Sequence, residues 1–113
     1  MHEMSLCQEL ARLIAERAAA DGFSRVRRVV LDIGALSHVM PEAMVFGFDV
    51  ATRGGPAEGA LLEIRRPPGT AWCTDCAASR AIAARGDACP VCGGHKLLVT
   101  GGDDLRLKEL EVV

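Results

Sequence analysis

Cys73-Thr-Asp-Cys76, then twelve residues, then Cys89-Pro-Val-Cys92: this stretch decides how the chain is read. Each Cys-x-x-Cys pair makes a tight turn that aims two sulfurs at one point. Two such turns complete a tetrahedron, and soft thiolates in that geometry suit zinc. Four thiolates fill the coordination shell and leave no position for water, so such a site is structural rather than catalytic. Two disulfides are the bland alternative. A redox-active Cys-x-x-Cys is another, but it normally occurs as one pair at the start of a helix.

Around this stretch the chain is short. Its 113 residues make one small domain, or one domain with a small insert. Half the residues are apolar, enough for a modest core. No apolar run is long enough to span a bilayer. The opening lacks a basic region and carries Glu3 and Glu9, unlike a signal peptide. A cytoplasmic protein is expected, with reduced thiols that favour metal over disulfide. The net charge is −2 with the signs interspersed, which suggests neither a nucleic-acid nor a membrane partner.

The flanking segments read as an α+β domain. Residues 4–20 carry Leu6, Leu10, Leu13 and Ile14 at helical spacing. Ser5 with Gln8 has capping-box form, so the helix is expected to start near Ser5 and leave Met1–Met4 as a free arm. Arg25–Leu36 alternates as a long strand, with Gly34 marking a bulge. Pro41 opens a second helix that runs to about Arg53. Leu61–Arg66 is a second strand and Leu105–Val112 a third. The apolar phase of the last slips between Leu107 and Leu110, as at a β-bulge. The expected fold is therefore α+β: a three-stranded sheet with two helices, plus an inserted zinc-ribbon-like module built on the four cysteines.

Pro67-Pro68-Gly69 and Gly101-Gly-Asp-Asp104 read as hinges. They set the boundaries at 1–68 with 101–113 for the α+β domain and 69–100 for the module, with some freedom between the two. Trp72, Ile82 and Leu97 are nearly all the apolar core the module has. Metal must supply the rest, on the order of 10–16 kcal/mol in peptide systems.

His2 sits beside the α-amino group of Met1. An amine, an imidazole and intervening backbone amides can close chelate rings around one ion, and four nitrogens in a plane suit Ni(II) or Cu(II). From residue types alone, a histidine at position 2 is more often an exposed terminal side chain. Cys7 reads as a small core residue, His95 as a surface residue near enough to replace a thiolate, and His38 as solvated or facing the amino terminus. Phe46 and Phe48 read as core and helix surface rather than a ligand cage. Arg25, Arg27 and Arg28 read as a solvated strand edge.

Met1-His-Glu-Met-Ser-Leu6 resembles the opening of the HypA/HybF family of hydrogenase maturation proteins. Gly34-Ala-Leu-Ser37 followed by Pro41-Glu42 resembles that family's middle segment. The cysteine spacing resembles its zinc module, and Gly101–Glu111 its last strand. The resemblance covers essentially the whole chain and implies a nickel metallochaperone, not an enzyme. It implies Ni(II) held by His2, the Met1 amino terminus and backbone nitrogens, with Glu3 contributing through its backbone or by tuning the site. It implies Zn(II) on Cys73, Cys76, Cys89 and Cys92. The implied partners are a HypB-type GTPase, the nickel–iron hydrogenase large subunit and, in some organisms, urease maturation proteins; the chain is expected as a monomer or weak homodimer.

Two rival classes compete. A zinc-ribbon adaptor for protein or nucleic acid, without nickel delivery, would need a basic face. Arg80, Arg85 and Lys96 against Asp75 and Asp87 leave +1, which a zinc tetrathiolate turns to about −1, the wrong sign for phosphate. A metalloenzyme or thiol oxidoreductase would need a nucleophile–base pair, a phosphate loop or an open metal position, and none is visible.

Overall fold

A computed structural model describes residues 3–113 of the chain. Helix α1 spans Glu3–Asp21 and buries Cys7, Leu10 and Ile14. Leu13, expected on the apolar face, is 40% exposed. The helix begins two residues before Ser5, so the Ser5–Gln8 capping box does not mark its start. What extends it is tertiary: the Glu3 carboxylate accepts the backbone N–H of Met40 at 3.1 Å. An acid in the first turn also suits the helix dipole. On the exposed side Arg12 bridges Glu9 and Glu16.

Helix α2, Pro41–Ala51, places Pro41 in its first turn and buries Met44, Gly47 and Phe48. Of the two phenylalanines, Phe48 is the core residue, and Phe46 is exposed. The two helices meet where Cys7 faces Met44 and Gly47. The Cys7 thiol donates to the Met44 carbonyl at 3.4 Å and touches Met44 Sδ at 3.8 Å. A Cβ on Gly47 would lie 2.9 Å from Cys7 Sγ, so only glycine admits this approach. Cys7 is wholly buried, as its setting among apolar positions suggested.

Strand β1 covers Val26–Ile33, β2 Leu61–Arg65 and β6 Leu105–Val112. They form one sheet in the order β2-β1-β6. Val29, Leu31 and Ile33 on one face of β1, and Val30 on the other, are all buried. Arg28 of β1 gathers Glu63 from β2 with Glu109 and Glu111 from β6. Arg28 is therefore a half-buried cross-strand tie rather than part of a solvated edge. Along β6, Leu105, Leu107 and Leu110 are half-buried while Lys108 and Glu109 are both exposed, so burial slips phase where the sequence does.

A second sheet lies within the cysteine segment, which the spacing alone presents as two knuckles. It contains β3 (Gly69–Cys73), β4 (Ala78–Ile82) and β5 (Leu97–Gly101) in the order β4-β3-β5. Both pairings are antiparallel, with Ala71 opposite Arg80 and Val99. Its core is Leu36, Ala71 and Ile82, with Leu97 and Val99 packed against them. Trp72, expected in that core, is 41% exposed. The reason is the strand period: Ala71 and Cys73 point inward, so Trp72 between them points out.

The strand expected to reach Leu36 stops at Ile33, because Gly34 enters a crossing of three chain segments. A Cβ on Gly34 would fall 2.1 Å from the Gly102 carbonyl oxygen, and one on Gly102 would fall 2.5 Å from Gly69 Cα. Gly34 donates to Asp104, Ala35 to Pro67 and Leu36 to Gly102, each across 2.8–2.9 Å. The Arg66 side chain donates to the carbonyl of Ile33 at 2.8 Å. Residues Asp32–Ser37 accordingly group with Arg65–Leu105 in one compact unit. The helices, the 38–64 segment and Arg106–Val113 belong to the other.

Candidate metal centres

The first centre is built by two turns of matching conformation. In each Cys-x-x-Cys the residue after the second cysteine adopts positive φ, Ala77 at 51° and Gly93 at 75°. Gly93 takes this conformation freely, whereas Ala77 is the one described non-glycine residue that does so. A left-handed residue there turns the chain sharply enough for backbone N–H groups to point back at sulfur. The Cys76 N–H reaches Cys73 Sγ at 3.4 Å. In the second turn, Gly93 donates to the Cys89 carbonyl at 2.9 Å and Cys89 to the Gly94 carbonyl at 2.7 Å.

These turns bring all four sulfurs within 4.8 Å of one another. Cys73 Sγ lies 3.7 Å from Cys92 Sγ, and Cys76 Sγ lies 3.9 Å from Cys89 Sγ. A tetrahedral zinc with Zn–S bonds of about 2.3 Å requires sulfur–sulfur separations of about 3.8 Å. The residues fit the ion. The same distances are far beyond a disulfide bond of about 2.05 Å, and all four cysteines are free thiols. Four thiols this close compete for protons. The backbone N–H groups of Cys92 and Val91 hold the Cys89 thiol down to about 6. Cys92, despite the Gly94 N–H beside it, is pushed up to about 12 by the sulfurs of Cys76, Cys89 and Cys73. A divalent cation resolves that competition by taking the place of the protons.

The second candidate centre is the amino terminus. Met1 and His2 lie outside the described residues. The structure does describe Glu3, and its carboxylate docks on the Met40 N–H at the head of α2. Met40 caps α2 with no side-chain hydrogen bond of its own, and its backbone N–H is held by Glu3 from another segment. A shallow hollow lined by Glu3, Met4, Ala43, Phe46 and Gly47 borders this contact. Nothing in the sequence pairs residue 3 with residue 40. His38 is exposed, as a solvated loop histidine would be. His95 lies outside the four-sulfur cluster.

Burial raises the Cys7 thiol above its ordinary range, with Glu3 adding to the effect, so Cys7 is an inert core group and not a ligand at hand. Sequence reasoning also missed Arg80, which stands on the inward face of β4 with its Nε buried and unpartnered among the described residues and whose charged form the sulfurs of Cys76 and Cys89 favour. Its place follows from strand alternation once Ile82 is put inside.

Comparison with known proteins places the whole chain in one group. A family profile described as "Hydrogenase/urease nickel incorporation, metallochaperone, hypA" matches residues 1–112. The chain is 54% identical over 112 residues to the hydrogenase maturation factor HypA of Rhodopseudomonas palustris strain TIE-1, covering 99% of both chains. It is equally similar, 54% over 112 residues with 99% of both covered, to HypA of Azotobacter vinelandii. Among solved structures, it is similar to the nickel metallochaperone HypA of Helicobacter pylori. That match has a TM-score of 0.73 at 27% identity and covers 100% of this chain and 98% of the other.

Proposed function

Because the chain belongs to the HypA family of hydrogenase/urease nickel-incorporation metallochaperones, we propose that it takes up Ni(II) at its own amino terminus. It passes the ion to the large subunit of nickel–iron hydrogenase, together with a GTPase of the HypB type, and zinc on Cys73, Cys76, Cys89 and Cys92 keeps the cysteine module folded. Urease maturation is a further destination for the same cargo.

The observation that carries the terminal site is the docking of Glu3 on Met40. It fixes the first turn of α1 directly after Met1 and His2. An α-helix leaves its first N–H groups outside its own hydrogen-bond ladder. Backbone nitrogen at this end is therefore not committed to the helix, and the positive end of the helix dipole favours loss of a proton from groups beside it. The Met1 amine, the His2 imidazole and nearby amide nitrogens supply a planar nitrogen set that suits Ni(II). Glu3 acts through position: its carboxylate is engaged by Met40 and holds the start of the helix in place.

Such a site has few protein constraints, which suits a carrier that must let go. Its ligands bind deprotonated. With ordinary values of about 6.5 for imidazole and about 7.7–8.0 for an α-amine, affinity falls as pH drops below neutral. Zinc, when bound, supplies a closed tetrahedral anchor, and the four thiolates leave it no open position.

The test is a nickel titration of zinc-loaded protein under reducing conditions, with its native start, beside His2→Ala and an N-terminally extended form. About one nickel per chain is expected, with a square-planar d–d band that both changes abolish, weakening binding at least about 100-fold, or roughly 2.7 kcal/mol. Unchanged affinity in the extended protein would overturn the terminal-amine reading.

A further inference from the structure

Arg80 occupies the inward face of β4, between Ala78 and Ile82, opposite Ala71 of β3. That face leads to the cysteine turns, since Cys73 ends β3 on the same side, paired with Ala78. An arginine between apolar neighbours needs a reason. Its Nε is shut off from solvent with no hydrogen-bond partner among the described residues. Nη1 donates to the Ser79 carbonyl at 3.3 Å. The sulfurs of Cys76 and Cys89 stabilise its charged form. A buried donor without an acceptor is costly, whereas four thiolates around a divalent ion carry a net charge of −2 and offer acceptors on the same side.

We propose that Arg80 is a positioning residue of the zinc centre: its guanidinium donates to the Cys76 and Cys89 thiolates and offsets part of their charge. The proposal rests on the zinc reading above. Its consequence is selectivity by retention. N–H···S hydrogen bonds draw electron density from the thiolates and weaken them as nucleophiles. The structural ion then stays in place while nickel is exchanged elsewhere on the same chain. Partners around a metal's ligands tune affinity in this way without touching the ion.

Cobalt(II) substitution tests it, because the thiolate-to-cobalt charge-transfer energy reports the electron density on sulfur. Full-length wild type, Arg80→Met and Arg80→Lys would be loaded under reducing conditions, and zinc affinity measured in parallel against a chromophoric chelator. In Arg80→Met the tetrahedral d–d envelope is expected to persist while the charge-transfer band moves to lower energy, with zinc affinity about 10-fold lower. Arg80→Lys is expected to recover most of the affinity, with a band between the two. An unmoved band in Arg80→Met overturns the proposal, whether or not affinity falls, because a loss without a spectral shift is what a purely packing role would give. If wild type itself gave no tetrathiolate spectrum, the zinc reading would fail first, and the proposal with it.

Discussion

In the cysteine module four side chains converge so that their sulfurs lie within 4.8 Å of one another. At the amino terminus the sequence offers one histidine and one carboxylate, and the carboxylate is already engaged by Met40. The first arrangement is built from paired turns and strand ends, so an ion held there would make one cooperative unit with the local fold. The second, on the proposed reading, is mostly backbone at the head of a helix, a site from which metal would come and go without unfolding anything. On that reading, one small chain would separate permanence from exchange by how much of itself each site organises.

The sharpest way to break that contrast is to remove one sulfur. Cys76→Ala is expected to unfold the module, since zinc binding provides on the order of 10–16 kcal/mol in comparable peptides. Trp72 emission would change because Trp72 adjoins Cys73 on β3, while the far-UV helical signal of α1 and α2 would largely remain. A Cys76→Ala spectrum that matched wild type would erase the distinction between the two centres. At the other end the effect is smaller. Glu3→Ala is expected to weaken nickel binding by about 3- to 10-fold, the equivalent of one lost hydrogen bond of about 1 kcal/mol. The d–d band should keep its energy, and Glu3→Gln should bind close to wild type because its amide oxygen can still accept from Met40. A shifted band in Glu3→Ala would make the carboxylate a ligand.

A pH series sharpens the contrast further, with the smallest effect on the fold. Nickel loss should fall between about pH 8 and 6, where the terminal ligands take up protons. The α+β body should not respond there. Arg28, and Arg27 beside it, hold the Glu111 carboxyl below its ordinary value of 4.5. A depressed carboxylate stabilises the fold above its unfolded value and loses that contribution only as pH falls through the lower folded value. Glu111→Gln should therefore flatten the acid limb of a melting curve slightly and leave the neutral region alone. Because these groups face solvent, the change is small; nickel release that tracked the melting curve would join the two processes.

The cysteine spacing was legible because metal geometry dictates it locally. The helices and the three strands of the larger sheet were legible for the same reason, since apolar periodicity is local. What escaped was set at a distance. Ser5 and Gln8 form a plausible cap, but the contact that starts the helix earlier joins residues 37 positions apart. Bulk alone argues for Trp72 inside. Once Cys73 is fixed inward by its sulfur, alternation sends Trp72 out, so that signal was present and outweighed. β3 and β4 are five residues each, too short and too poor in large apolar residues to announce themselves. Arg80 reads in the sequence as one charge among several, because its role depends on which way β4 faces.

The crossing of Gly34, Gly69 and Gly102 bears on how fast the chain can reach this state. These glycines are far apart in sequence, and the Gly34–Gly102 and Gly69–Gly102 approaches are backbone on backbone. No side chain of theirs can collapse early and hold the segments together. The entropy of closing two long loops must be met before any of the crossing's hydrogen bonds form. The junction should therefore be among the last parts to assemble, with folding rate limited by topology rather than by helix formation. Enlarging any of the three residues would block that final closure while leaving the earlier steps intact.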